Sequence, residues 1–155
     1  MVTALVREAG GKRYLVVANA GDSRAVISRE AGVSRLTYDH KPTDESEASR
    51  VTGGGAFIRD GRVNGMIGIT RALGDHCMKQ WIISTPHVTV VELVPTDEYL
   101  VLACDGVWDV INDDEAIAFL KEKQEAPASQ LARALAVEAL KRGSQDNISV
   151  IVVRL

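Results

Sequence analysis

One apolar run, Tyr99 to Cys104, constrains the fold of this chain more than any other feature. It has the length of a strand and carries no polar residue at alternate positions, which is typical of a strand buried on both faces. The run stops abruptly at Asp105-Gly106. The sequence therefore predicts an interior strand with an acidic residue at the point where that strand ends.

Shorter β-rich runs separated by turn residues occupy most of the remaining chain. Arg13–Asn19 is predicted to be a strand and Ala25–Ser28 its hairpin partner, because Gly21-Asp22-Ser23 between them has turn chemistry. Val88–Leu93 alternates between apolar and polar residues, as a half-buried strand does. Ile148–Val153 is predicted to be a closing strand of the same buried kind as Tyr99–Cys104.

Helical signals are concentrated in the last third of the sequence. Asn112 followed by Glu115 predicts a capped helix start. Residues 129–142 carry apolar residues at helical spacing, and Gly143 supplies a stop. A shorter helix is predicted over residues 44–52. Strands grouped apart from helices indicate an α+β fold with antiparallel sheet.

Composition narrows the class of protein. The 155 residues show no repeat or linker, so we expect a single domain over residues 1–155. The net charge of −3 gives no support for nucleic-acid binding, and no apolar stretch is long enough to span a membrane. Cys77 and Cys104 are too few for a disulfide scaffold. The expectation is a soluble cytoplasmic protein, with the nucleus as an alternative.

Three acidic residues lie where predicted strands end. Asp105 follows the buried strand, Asp146 precedes the closing strand, and Asp22 lies in the predicted hairpin turn. Taken alone, each is better explained by an ordinary turn or loop. If the neighbouring strands lie side by side, however, the carboxylates of Asp105 and Asp146 would converge, and hard cations such as Mg²⁺ or Mn²⁺ prefer such oxygen ligands.

Several familiar sites are excluded by the same sequence. It contains no phosphate-binding Walker pattern, no complete EF-hand loop and no Gly-x-Ser-x-Gly nucleophile motif. The histidines His40, His76 and His87 do not pair with cysteines at zinc-binding spacing, so none is assigned a role.

Five segments in order resemble the PP2C (PPM) family of metal-dependent Ser/Thr protein phosphatases. The segments are Asn19–Arg24; His40-Lys41-Pro42 with Glu47 and Arg50; Arg62–Gly65 with Thr70–Asp75; Asp97–Val110; and Gly143–Val150. They cover nearly the whole chain. Small departures are Thr70 in place of the family's usual Ser and Ala56 where a Gly is commoner.

The resemblance implies a fold, an activity and a set of metal ligands. The fold would be an antiparallel β-sandwich flanked by helices in αββα layers. The activity would be hydrolysis of phosphoserine and phosphothreonine in phosphoproteins by metal-activated water, with Mg²⁺ or Mn²⁺ as cofactor. Asp105 and Asp146 match core metal ligands of the family. Asp22 and Asp109 match residues that hold a third metal in many members.

The family's N-terminal motifs have no counterpart in this sequence. They include the phosphate-clamping arginine and the metal-bridging aspartate, so the resemblance implies an N-terminally truncated domain without the first strands and helix. No catalytic residue can be assigned, and whether the chain is an active enzyme stays open. The alternatives are an impaired pseudophosphatase or regulatory module, and a subunit that is competent only as an oligomer. Unpaired strand edges near residues 1–17 further predict a homodimer.

Overall fold

The computed structural model of the protein describes residues 1–155 and contains nine strands and four α-helices. The strands are β1 (Val2–Ala9), β2 (Lys12–Asn19), β3 (Arg24–Arg29), β4 (Gly32–Arg35), β5 (Ile58–Arg59), β6 (Arg62–Val63), β7 (His87–Leu93), β8 (Tyr99–Ala103) and β9 (Val150–Arg154). The helices are α1 (Glu45–Gly53), α2 (Asp105–Trp108), α3 (Asp113–Glu122) and α4 (Ala128–Lys141). None of the helices is both long and apolar enough to cross a bilayer.

The strands form two larger antiparallel sheets and one small hairpin, which confirms the predicted α+β class. Sheet A has the order β1-β2-β7, and sheet B has the order β4-β3-β8-β9. β5 and β6 form the hairpin. A cluster that includes Leu15, Ile27 and Leu102 fills the space between the two sheets. The other face of sheet B packs against α3 and α4 through a second cluster that includes Val101, Leu120 and Leu135.

The predicted hairpin between the second and third strands is wrong. β2 pairs with β1 and β7, whereas β3 pairs with β4 and β8, so the chain crosses from sheet A to sheet B between them. Val17 of β2 and Ala25 of β3 both face the inter-sheet core. The two strands therefore meet through their side chains and not through backbone hydrogen bonds. Turn residues mark a reversal of the chain without distinguishing these two outcomes.

β8 is the interior strand that the sequence predicts. All five of its residues are buried, because one face packs on sheet A and the other on the helices. The predicted helix boundaries are correct to within one residue in two places. A capping box forms at Asn112, at the start of α3. The helix α4 ends just before Gly143, and Gly143 itself has a positive φ.

The closing strand differs from its prediction. β9 begins at Val150, two residues later than predicted, and it is the last strand of sheet B. Only Val152 is buried, whereas Ile151 is 58 % exposed and Val153 is 38 % exposed. An edge strand has a single neighbour, and one face of β9 packs on α4. Its other face has no covering layer, so this strand is buried on one side only.

Candidate metal centre

The register of sheet B brings three predicted metal-binding aspartates to one end of the molecule. Ala103, at the end of β8, pairs with Arg24 at the start of β3 and with Val150 at the start of β9. Asp105 follows Ala103 by two residues, Asp22 precedes Arg24 by two, and Asp146 precedes Val150 by four. The condition set by the sequence, that the strands next to Asp105 and Asp146 are neighbours, is therefore met.

The loops that carry Asp105 and Asp146 are in direct contact. A Cβ atom on Gly106 would lie 2.3 Å from the carbonyl oxygen of Asn147. The Ser144 hydroxyl donates to the Gly106 carbonyl oxygen over 2.6 Å, and the Cys104 thiol donates to the Asn147 carbonyl oxygen over 3.1 Å. The Gly106 backbone belongs to α2 and has no positive φ, so no sharp turn requires glycine at this position. Glycine is required here because the two loops approach so closely.

Each of the two predicted core carboxylates uses only one oxygen in hydrogen bonds within the protein. Oδ1 of Asp105 accepts from the backbone N–H of Gly106 over 3.0 Å, and Oδ1 of Asp146 accepts from that of Asn147 over 2.6 Å. The Oδ2 atom of either residue makes no hydrogen bond within the protein. These donors fit a hard cation such as Mg²⁺ or Mn²⁺. No group of three or more His, Cys, Asp or Glu side chains is assembled as a metal site, however, so the ligand set is incomplete.

Asp22 and Asp109 are bridged by a lysine. The Lys41 ammonium nitrogen lies 3.6 Å from Oδ2 of Asp22 and 3.5 Å from Oδ1 of Asp109. Burial and the neighbouring Asp105 carboxylate raise the pKa of Asp22, and Lys41 partly offsets them. Burial disfavours the charge on Lys41, but Asp109 and Asp22 outweigh this effect and raise the pKa of Lys41. The predicted third-metal pair therefore carries a protein cation in this structure.

A cavity of about 330 Å³ lies beside Asp109 and Asp146. It is lined mainly by polar residues and glycines, including Asp109, Asp146, Ser144 and Gly106. Asp109 and Asp146 thus face one space that is large enough for hydrated ions. The four predicted aspartates lie at the same end of the sandwich, although they form no closed coordination shell.

Sequence reasoning missed two features near this site. Lys41 belongs to the His40-Lys41-Pro42 motif, but nothing in the sequence predicts its contact with Asp109, 68 residues away. The second feature is the buried carboxylate of Glu47, which is 2 % exposed. It accepts hydrogen bonds from Arg71 at 2.7 and 3.0 Å and from the Thr70 hydroxyl at 2.6 Å.

The hydrogen bonds to Glu47 give a structural role to the Thr70–Asp75 segment, for which the sequence alone suggests no chemistry. Arg50 of α1 also donates to Glu47, at 2.9 and 3.2 Å, and to the Thr70 carbonyl oxygen at 2.9 Å. The network ties α1 to the segment that contains Thr70 and Arg71. The arginines and the Thr70 hydroxyl outweigh burial and hold the pKa of Glu47 well below its usual value of 4.5.

Comparison with known proteins decides the family. The model of the protein phosphatase 2C family matches residues 1–148. The chain belongs to the protein phosphatase 2C family. It is 44 % identical over 144 residues to protein phosphatase 2C homolog 1 of Saccharomyces cerevisiae, covering 93 % of this chain and 50 % of the relative. The Schizosaccharomyces pombe protein phosphatase 2C homolog 1 is 43 % identical over 145 residues, covering 93 % of this chain and 41 % of that relative.

Solved structures support the same family assignment. A Caenorhabditis elegans sex-determining protein superposes with a TM-score of 0.87 and 30 % identity, over 99 % of this chain and 40 % of that one. The serine-threonine phosphatase 2C of Toxoplasma gondii gives a TM-score of 0.80 and 27 % identity, over 99 % of this chain and 57 % of the other. The chain therefore spans about half the length of the family members that it matches.

Proposed function

We propose that this chain forms the part of a PP2C-type phosphatase that holds metal through Asp105 and Asp146, and that it acts on phosphoserine and phosphothreonine in phosphoproteins. The contact between the Asp105 and Asp146 loops is the observation that carries this proposal. Gly106 lets the loops that carry these two carboxylates lie in contact, and each carboxylate has one oxygen free of protein hydrogen bonds.

Mg²⁺ or Mn²⁺ is the cofactor that these residues fit. When bound, such ions would activate water for attack and neutralise charge on the phosphate. The protein's own contribution is the fixed backbone around the carboxylates: the Gly106 and Asn147 N–H groups orient them, and the Ser144 hydroxyl holds the two loops together. Asp22 and Asp109 would provide the ligands of a third, weaker ion.

The residues in this chain do not complete the catalytic site. Two core carboxylates are fewer ligands than a hard cation takes. We therefore propose that rapid turnover needs further ligands from outside these 155 residues, supplied either by additional polypeptide or by a second subunit.

Phosphate release from a phosphothreonine peptide tests the activity. We expect slow release in Mn²⁺ that stops in EDTA and in the Asp105→Ala variant. Glu30→Ala is the matched control, because Glu30 is an exposed acidic residue beyond the opposite end of β3. Release that continues in EDTA, or that Asp105→Ala leaves unchanged, would show that the metal-dependent assignment is wrong. The complete absence of Mn²⁺-dependent release would count against activity in this chain.

We also propose a homodimer formed through the free edge of sheet A. β1 is the last strand of that sheet and β9 the last of sheet B, so both present unpaired backbone groups. Between them lies an apolar cavity of about 350 Å³ lined by residues that include Val2, Val6 and Ile151. An antiparallel pair of β1 strands related by a two-fold axis would satisfy the β1 edge of each copy with the same surface from both, so a second copy is the proposed partner at this edge.

A further inference from the structure

Lys41 is held in place by the fold and is not a freely moving surface lysine. The backbone N–H of Lys41 donates to the Asp39 carbonyl oxygen, and its own carbonyl oxygen accepts from Asp44, each over 3.0 Å. The preceding residue, His40, is fully buried and donates its backbone N–H to the Gly21 carbonyl oxygen over 3.1 Å. These bonds fix the start of the Lys41 side chain beside the turn that carries Asp22.

The surroundings of the Lys41 ammonium favour a fixed position for the charge. Its side chain is 33 % exposed and that of Asp22 only 15 % exposed. The ammonium nitrogen lies 3.6 Å from one oxygen of Asp22 and 3.5 Å from one oxygen of Asp109, so it attracts both carboxylates at once. The lysine therefore has a specific electrostatic role at the centre of the acidic cluster.

We propose that Lys41 is a built-in counter-ion that competes with a divalent cation for the Asp22 and Asp109 carboxylates. This inference rests on the proposed metal-binding function. A divalent ion that bridges Asp22 and Asp109 must either displace the Lys41 ammonium or bind within a few ångströms of a like charge. Lys41 thereby determines how many ions the acidic end of sheet B holds, and it leaves Asp105 and Asp146 as the sites that fill first.

The test is Mn²⁺ binding by the Lys41→Met variant, which keeps most of the side-chain volume and removes the charge. Electron paramagnetic resonance of free Mn²⁺ gives both affinity and stoichiometry without any substrate. We expect an additional ion per chain, or affinity for the weaker site that rises about tenfold, since a unit charge about 4 Å from a divalent ion has an effect of this size even in water-like surroundings.

Two control variants separate this effect from net charge. Lys12→Met makes the same charge change at the far end of β2, where Lys12 pairs with Glu92 at 2.9 Å. It should leave Mn²⁺ binding unchanged. Adding Asp109→Asn to Lys41→Met should cancel the gain, because Asp109 would no longer supply a carboxylate. Thermal unfolding verifies that each variant is folded. If Lys41→Met is not folded, Lys41→Gln is used in its place.

The outcomes distinguish this inference from the proposed function. If Asp146→Ala weakens Mn²⁺ binding but Lys41→Met changes neither affinity nor stoichiometry, the counter-ion role is wrong and the metal core stands. A gain of the same size in Lys12→Met, or one that persists with Asp109→Asn, also overturns the counter-ion role. If neither the original protein nor Lys41→Met binds Mn²⁺, the lysine is not what excludes the ion, and both proposals fail.

Discussion

Gly106→Ala should destabilise the protein and weaken metal binding together. The added Cβ would lie 2.3 Å from the Asn147 carbonyl oxygen, 1.1 Å closer than the 3.4 Å at which ordinary contact begins. The obstacle is backbone, so the loop that carries Asp146 must move. Forcing extra atoms into a close-packed site costs about 1–3 kcal/mol. Alanine regains less than about 1 kcal/mol of helix propensity in the four-residue α2.

The expected net result is a loss of about 2 kcal/mol in the free energy of unfolding, measured by urea denaturation. Gly53→Ala is the matched control, since Gly53 also lies in a helix and has no positive φ, but has open space where a Cβ would be. It should be neutral or slightly stabilising. If Gly106→Ala is no more destabilising than Gly53→Ala, the two loops do not meet as described, and the convergence of Asp105 and Asp146 loses its basis.

Three further predictions concern the hydrogen bonds to Glu47, the unpaired edge of β1 and the incomplete set of metal ligands. Glu47→Gln should cost about 3 kcal/mol of unfolding free energy, against little change for the exposed Glu45→Gln in the same helix, because two arginines lose a buried partner. Because the pKa of Glu47 is lowered in the folded state, the ionised carboxylate stabilises the fold fully above pH 4.5, and this stabilisation declines as the pH falls below that value. The Glu47→Gln variant should therefore lose stability less steeply in acid than the original protein. An equally steep loss in both proteins would contradict this. Light scattering should show a dimer for the original protein and for Leu140→Lys on α4, and a monomer for Val6→Lys. A monomeric original protein would refute the dimer. A monomeric form of the chain should turn over phosphopeptide poorly, and robust Mn²⁺-dependent turnover by a proven monomer would contradict the incomplete ligand set.

The features that the sequence predicted correctly depend on local chemistry. The buried strand at Tyr99–Ala103 follows from its apolar composition, and the start of α3 follows from Asn112 and Glu115, which bond each other across one turn. The convergence of the Asp105 and Asp146 carboxylates stays a prediction with one condition, that their strands be neighbours. The strand order of sheet B meets it.

The features that the sequence did not predict depend on which surfaces meet. The residues of the Gly21 turn permit both a hairpin and a crossing between sheets, and the crossing depends on the strands with which β2 and β3 pair. The apolar sequence of β9 does not predict that one face is exposed, because burial depends on what covers a strand. The Lys41 contacts likewise join residues that are far apart in sequence.

Mn²⁺ titration of the protein and its Asp105→Ala and Asp146→Ala variants tests the metal assignment most directly. Two carboxylates and water predict a dissociation constant of about 10⁻⁴ to 10⁻³ M, at the weak end of oxygen-ligand sites. Each variant should weaken binding by about tenfold or more, whereas Glu30→Ala should not alter it, because Asp105 and Asp146 would each supply a charged ligand. Binding that survives both aspartate substitutions, or that Glu30→Ala weakens to the same extent, would show that these two residues do not form the metal centre.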